Sequence, residues 1–191
     1  MNYFTKKSFA IIIAVVTIMG LTQCKSTKKA APNVTGETLV ETYCSGPEFQ
    51  SNKDFFRSNA IAESMDQQVS RQKALTQARA LLAQQLEITL KNVTDAYVNS
   101  TSGNNVENLE QRYEGLTREV TNQKLSGTRT ICEKTTKTQA GNFKTYVAVE
   151  LSGEEILGAM KAKLSGDEKL RIDYDYEKFK KTFEEEMSKM E

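Results

Sequence analysis

Three cysteines, Cys24, Cys44 and Cys132, are the side chains of this sequence best equipped for chemistry. A cysteine sulfur can be acylated, oxidised to a disulfide or bound to a metal, and its neighbours decide which. No histidine occurs in the 191 residues. That excludes Ser-His-Asp and Cys-His nucleophiles and ordinary zinc catalysis. With no CxxC spacing, a cysteine metal pair has nothing to complete it. GxGxxG, P-loop and GxSxG patterns are absent as well. Carboxylates such as Asp54, Glu63 and Glu114 remain as acid–base candidates of the kind glycosidases pair. Nothing in their spacing separates them from other solvated acidic residues. The chain therefore reads as a non-enzyme, with no catalytic residue, cofactor or metal site expected.

Cys24 closes a segment, Met1 to Gln23, laid out in the order of a secretion signal. Lys6 and Lys7 are its only charged side chains, and the 13 residues Phe9 to Leu21 carry none. A helix needs ~20 apolar residues to span a bilayer, so this run is too short for an anchor and suits a removable signal. It ends at Leu21-Thr22-Gln23-Cys24, which resembles the lipobox of bacterial lipoproteins. The resemblance implies cleavage before Cys24 and lipidation, by palmitate or a similar acyl chain, on its sulfur. Gln23 departs from that pattern, where Gly, Ala or Ser usually precedes the cysteine. The competing reading is an ordinary cleaved signal, against which no small-x-small site precedes Cys24. Several acyl chains at ~0.8 kcal/mol per buried CH₂ would hold the protein on a membrane without a transmembrane helix.

Residues 24–36 include KSTKKAAPNVTG, which has no apolar periodicity and reads as a flexible tether. Lys25, Lys28 and Lys29 either touch anionic headgroups or simply keep the tether soluble. Without Met1 to Gln23 the chain has 168 residues with 24 basic and 25 acidic side chains. This balance argues against a nucleic-acid partner, and the length fits one domain. Cys44 and Cys132 make an even pair in an exported chain, so they read either as a disulfide or as two separately buried thiols.

Local patterns then supply the elements. Glu37 to Tyr43 and Phe55 to Glu63 are expected strands, separated by the turn signal Cys44-Ser45-Gly46-Pro47. Asp66 is a candidate N-cap for a long helix whose stripe runs Leu75, Ala78, Leu82, Leu86, Leu90, Val93, Tyr97. A polar break at Asn99 to Asn105 ends it. Val106, Leu109, Tyr113, Leu116 and Val120 step out a second helix. From Lys124 the chain turns β-branched, and the turn Gln139-Ala140-Gly141-Asn142 makes a hairpin with Phe143 to Leu151. The run Tyr146-Val147-Ala148-Val149 is apolar on consecutive positions, which predicts a central strand covered on both faces. Ser152 and Glu155 suggest a capping box for a short helix through Lys163. From Gly166 on, Ile172, Tyr176, Phe179, Phe183, Met187 and Met190 line one face of an amphipathic helix. That face either docks on the domain or receives a partner.

Ser70-Arg71-Gln72-Lys73-Ala74, with Ala78, Leu82, Ala83 and the strand Tyr146 to Val149, resembles the Lpp-twenty-type bacterial lipoproteins. The likeness covers about Phe55 to Lys163. It implies a small domain similar to the N-terminal domain of a flagellar assembly protein, and an envelope lipoprotein without enzymatic activity. It carries over no functional residues. The expected organisation is thus a signal peptide (1–23), a tether (24–36), an α+β domain (37–165) and a C-terminal amphipathic helix (166–191), with a long helix and further helices on a small, mainly antiparallel sheet. Cys24 is its one assigned site, lipidated to a membrane that is expected to be the outer membrane, on the periplasmic side. Expected partners are that membrane and unidentified envelope proteins met through Ile172, Tyr176, Phe179 and Phe183. The alternative is an envelope binder of small molecules or glycans.

Overall fold

In the computed structural model, β1 (Phe55–Ser64), β2 (Arg129–Lys137) and β3 (Phe143–Ser152) form an antiparallel sheet in the order β1-β3-β2. The structure describes Gly36 and residues 40–100, 106–167 and 175–190, excluding the side chains of 106–110. The signal segment, Cys24, the tether as far as Thr35 and Ile172 lie outside the described residues. The chain divides into two units, Met1–Leu39, of which only Gly36 is described, and Val40–Glu191. Among the described residues of the second, four α-helices accompany the sheet: α1 (Gln67–Asn99), α2 (Val106–Leu125), α3 (Gly153–Gly166) and α4 (Tyr176–Ser188). The protein is α+β, with its hairpin strand β3 in the centre as the apolar run required.

Strand alternation divides the sheet into two faces. Phe56, Ser58, Ala60 and Ala62 stand opposite Leu151, Val149, Val147 and Thr145 on the inner face, which α1 covers. Arg57, Asn59, Ile61 and Glu63 stand opposite Glu150, Ala148, Tyr146 and Lys144 on the outer face. A bulge at Ile131 shifts β2 by one residue, so that Thr130 pairs with Val149 but Cys132 with Ala148. Beyond the bulge, Cys132 and Lys134 face outward, whereas Glu133 and Thr135 face α1.

Asp66 caps α1 by accepting the Val69 amide proton at 2.9 Å. The first turns of the helix bury Ser70, Ala74 and Ala78 on the sheet. These small residues, four apart, let helix and sheet approach until Ser58 Oγ donates to the Ala78 carbonyl at 2.6 Å. Thirty-three residues make a helix of ~50 Å at 1.5 Å per residue, whereas a ten-residue strand reaches only ~33 Å. About the last third of α1 therefore runs beyond the sheet. Along α1 Leu82, Leu86, Leu90, Val93 and Tyr97 are buried, and Tyr97 packs against Tyr113 and Phe179 of two other helices. Burial of such side chains stabilises by ~1.5–3 kcal/mol each, which makes this stripe the spine of the core.

On α4, Phe179, Phe183 and Met187 are fully or almost fully buried. Phe179 packs edge-on to Tyr97, with ring centres 5.5 Å apart, and parallel to Tyr113 at 6.4 Å. Asp175 caps the helix and its amide donates to Tyr97 Oη at 2.8 Å. The face expected to meet a partner through Phe179 and Phe183 is thus core, and α4 belongs to the same unit as the sheet.

Three local expectations are corrected. Val40 to Tyr43 forms no strand, because the chain turns at Thr42–Ser45, where Ser45 Oγ donates to the Thr42 carbonyl at 2.8 Å. The second helix continues past Lys124 to Leu125. Ser152 occupies the N-cap position of α3 without a side-chain cap bond. It is still the last residue of β3, paired with Phe55, and alternation sends its side chain to the outer face.

Candidate functional site

Cys44 and Cys132 form a disulfide with their Cα atoms 5.6 Å apart. Cys44 is buried and sits in the left-handed region at φ 58°, a conformation that costs an L-residue ~1–2 kcal/mol. Its sulfur rests 3.7 Å from the Tyr146 carbonyl oxygen, a contact and not a hydrogen bond, since a disulfide sulfur has no proton to donate. Cys132 is the register partner of Ala148, which is completely buried. The second cover on β3, expected from its apolar run, is therefore this stapled segment.

To one side of the bridge, Glu150 is 5 % exposed between two arginines. It accepts from Arg57 Nε at 2.7 Å and from an Arg129 terminal nitrogen at 2.5 Å. Burial pushes the Glu150 carboxyl up, but the hydrogen bonds from Arg129 and Arg57 and their charges outweigh it and hold the group below the usual carboxylate range. Arg57 also stands 4.9 Å above the Phe55 ring. Ser51 Oγ receives the Arg57 amide proton and donates to the Arg57 carbonyl, sealing that stretch of the β1 edge. With both arginines engaged and the carboxylate ionised, the triad has structural geometry.

To the other side, Tyr43 meets Tyr146 edge-on, with ring centres 5.3 Å apart. Ile61 and Lys134 are the register partners of Tyr146, and Lys144 Nζ lies 5.7 Å from its ring centre. Here the outer face stays open, with Tyr43 56 % and Ile61 40 % exposed.

A cleft of about 380 Å³ opens between α1 and α2, lined by Glu87, Ile88, Lys91, Thr94, Asp95, Glu114, Thr117 and Arg118. Thr94 Oγ1 donates to the Lys91 carbonyl at 2.9 Å. The Thr117 hydroxyl is buried with no hydrogen-bond partner, a costly condition for a polar group. The carboxylates weighed as acid and base are not brought together. Asp54 and Glu63 stand at opposite ends of β1, Glu63 accepts from Asn142 Nδ2, and Glu114 lies in the cleft 3.6 Å from Arg118. Among the described residues no three His, Cys, Asp or Glu side chains cluster as a metal site, and no helix is long and apolar enough to cross a membrane.

The motif Ser70-Arg71-Gln72-Lys73-Ala74 ties helix to sheet. Ser70 Oγ donates to the Ala62 carbonyl at 3.0 Å and is hydrogen-bonded to Thr145 Oγ1 at 2.8 Å. Arg71 Nε donates to Glu133 at 2.7 Å. Sequence reading missed Glu150 and Thr117, because the partners of one come from two other strands and the isolation of the other is a matter of packing. The fold and this outer face define a disulfide-stapled α+β domain. Comparison with family models and with curated proteins found no match.

Proposed function

We propose that the chain is an exported lipoprotein, anchored through Cys24 to a membrane of the cell envelope, whose folded part is a non-enzymatic interaction or assembly module facing the periplasm. One observation carries this reading. Of three cysteines, Cys44 and Cys132 are joined, which leaves Cys24 as the odd sulfur, at the end of the uncharged run and in the Leu21-to-Cys24 pattern that resembles a lipobox. A disulfide belongs to an oxidising compartment, in keeping with export. The resemblance to Lpp-twenty-type lipoproteins points the same way. Metabolic labelling with a radioactive fatty acid tests it: wild type takes up label, Cys24→Ser does not, and an unlabelled wild type overturns the anchor.

A second reading, a binder of small molecules or glycans, is favoured by the cleft and the unpartnered Thr117 hydroxyl. Saturation-transfer NMR with mono- and disaccharides would show transfer to wild type that is lost in Ile88→Arg, whose longer side chain fills the cleft. Equal transfer in both proteins, or none, counts against this reading.

A further inference from the structure

We infer that the open part of the outer sheet face, Tyr43, Ile61 and Tyr146 with Lys134 and Lys144, rests on the surface of the lipid bilayer to which the chain is anchored. This rests on the anchoring through Cys24 proposed above. Tyr43 and Ile61 are 56 % and 40 % exposed, and Val40, three residues upstream of Tyr43, is 78 % exposed. Tyr43 and Tyr146 are in ring contact, and Ile61 is the register partner of Tyr146. Three apolar side chains thus share one surface, where soluble faces usually scatter them singly. Tyrosine, with an apolar ring and a polar hydroxyl, is a side chain that partitions to the membrane–water boundary. Lys134 and Lys144 flank the rings, with stems long enough to reach headgroup phosphates while the rings lie deeper.

The position of the patch along the chain selects the bilayer over other occupants. Val40 follows Cys24 by only sixteen positions, a span of at most ~55 Å when fully extended. A surface tethered this closely meets the patch at high effective concentration, so a contact too weak to bind by itself becomes populated. Charge contributes little. Glu41 is a near neighbour in sequence, and Glu63, the register partner of Lys144, offsets part of the lysine charge. The contact is therefore apolar in the main and should survive high salt, which screens exposed charges.

The sequence contains no tryptophan, so single reporters can be introduced. Full-length, lipidated Tyr43→Trp, Ile61→Trp and Leu81→Trp variants are reconstituted in vesicles of phosphatidylethanolamine and phosphatidylglycerol, with and without brominated acyl chains. Leu81 lies on α1, across the other face of the sheet, and is itself exposed. Bromine is expected to quench the tryptophans at 43 and 61 at low and at high salt, and to leave the one at 81 unchanged. Vesicles that float with the protein but show no quenching at 43 and 61 overturn the proposal and leave the anchor standing. Failure of the protein to float with vesicles overturns the anchor and the proposal together. A blue shift at 43 and 61 without bromine quenching, growing with protein density, assigns the patch to a second copy of the chain and also overturns it.

Discussion

Glu150 shows how much of this fold is settled by register. Arg57 reaches it from β1 and Arg129 from β2, each being its partner across the sheet. The carboxyl of Glu150 is lowered in the folded protein, whereas an unfolded glutamate titrates at ~4.3. A depressed acid stabilises fully above its unfolded value and loses that contribution as pH falls through the folded one. Glu150→Gln should therefore flatten the acid limb of a stability–pH curve followed by urea denaturation, with the largest difference from wild type near neutrality. The loss there should be about 2 kcal/mol, toward the low end for hydrogen bonds to charged groups, because the Arg129 side chain is 72 % exposed. At this scale the sequence disclosed Cys44, Cys132 and the Asp66 cap, which declare themselves by type and local position. It could not disclose Glu150, whose environment is made by residues 93 and 21 positions away.

Elements were legible where a period repeats over several turns. The stripe from Leu75 to Tyr97, the hairpin around Gly141 and the inward face of α4 all stand where spacing put them. The strand expected over Glu37 to Tyr43 is absent from its described part, Val40 to Tyr43, because a short segment of mixed polarity carries no period and the chain turns at Thr42–Ser45 ahead of the bridge to Cys132. Glycine matters at two points. Gly141 sits at φ +88° in the hairpin turn, where Gly141→Ala should cost ~1 kcal/mol, read as a lower melting temperature. At the start of α3, a Cβ on Gly153 would come within 3.1 Å of the Met187 methyl and 3.2 Å of the Asp54 carbonyl oxygen, and the Gly153 amide donates to that same oxygen at 2.9 Å. Gly153→Ala should destabilise by ~1–3 kcal/mol. In a double-mutant cycle with Met187→Ala the two losses should fall short of additive, since removing the methyl relieves one of the two contacts. Strict additivity in denaturant titrations would show that α4 does not press on this corner.

For the whole molecule, the bridge joins the segment before the sheet to an edge strand 88 residues later. In the chain-entropy model such a loop contributes up to ~4 kcal/mol, less the conformational cost at Cys44. The double variant Cys44→Ser, Cys132→Ser should lose most of that in urea denaturation, and reductant should destabilise wild type while leaving the variant unchanged. Phe183→Ala should cost ~3–5 kcal/mol if α4 is integral to the core. A value near zero would mark the helix as an appendage. The α+β architecture was readable from element types and lengths. The division of labour between the sheet's two faces was not, because it depends on a single residue that breaks the alternation.

That residue is Ile131, and it acts as a parity switch. If the ladder ran uninterrupted from Thr130, Cys132 would sit opposite Val147 and point at α1, away from Cys44, and Glu133 would turn from Arg71 toward the opposite side. One surplus residue inverts the odd–even sense of everything after it in β2. The bridge to Cys44, the Arg71 tie and the Thr135–Thr145 hydroxyl pair all inherit that inversion. A chain lacking Ile131 would restore a regular ladder with every later pairing unchanged. Removing this residue from the middle of a strand should therefore leave the disulfide intact, while removing Glu133 should prevent it from forming.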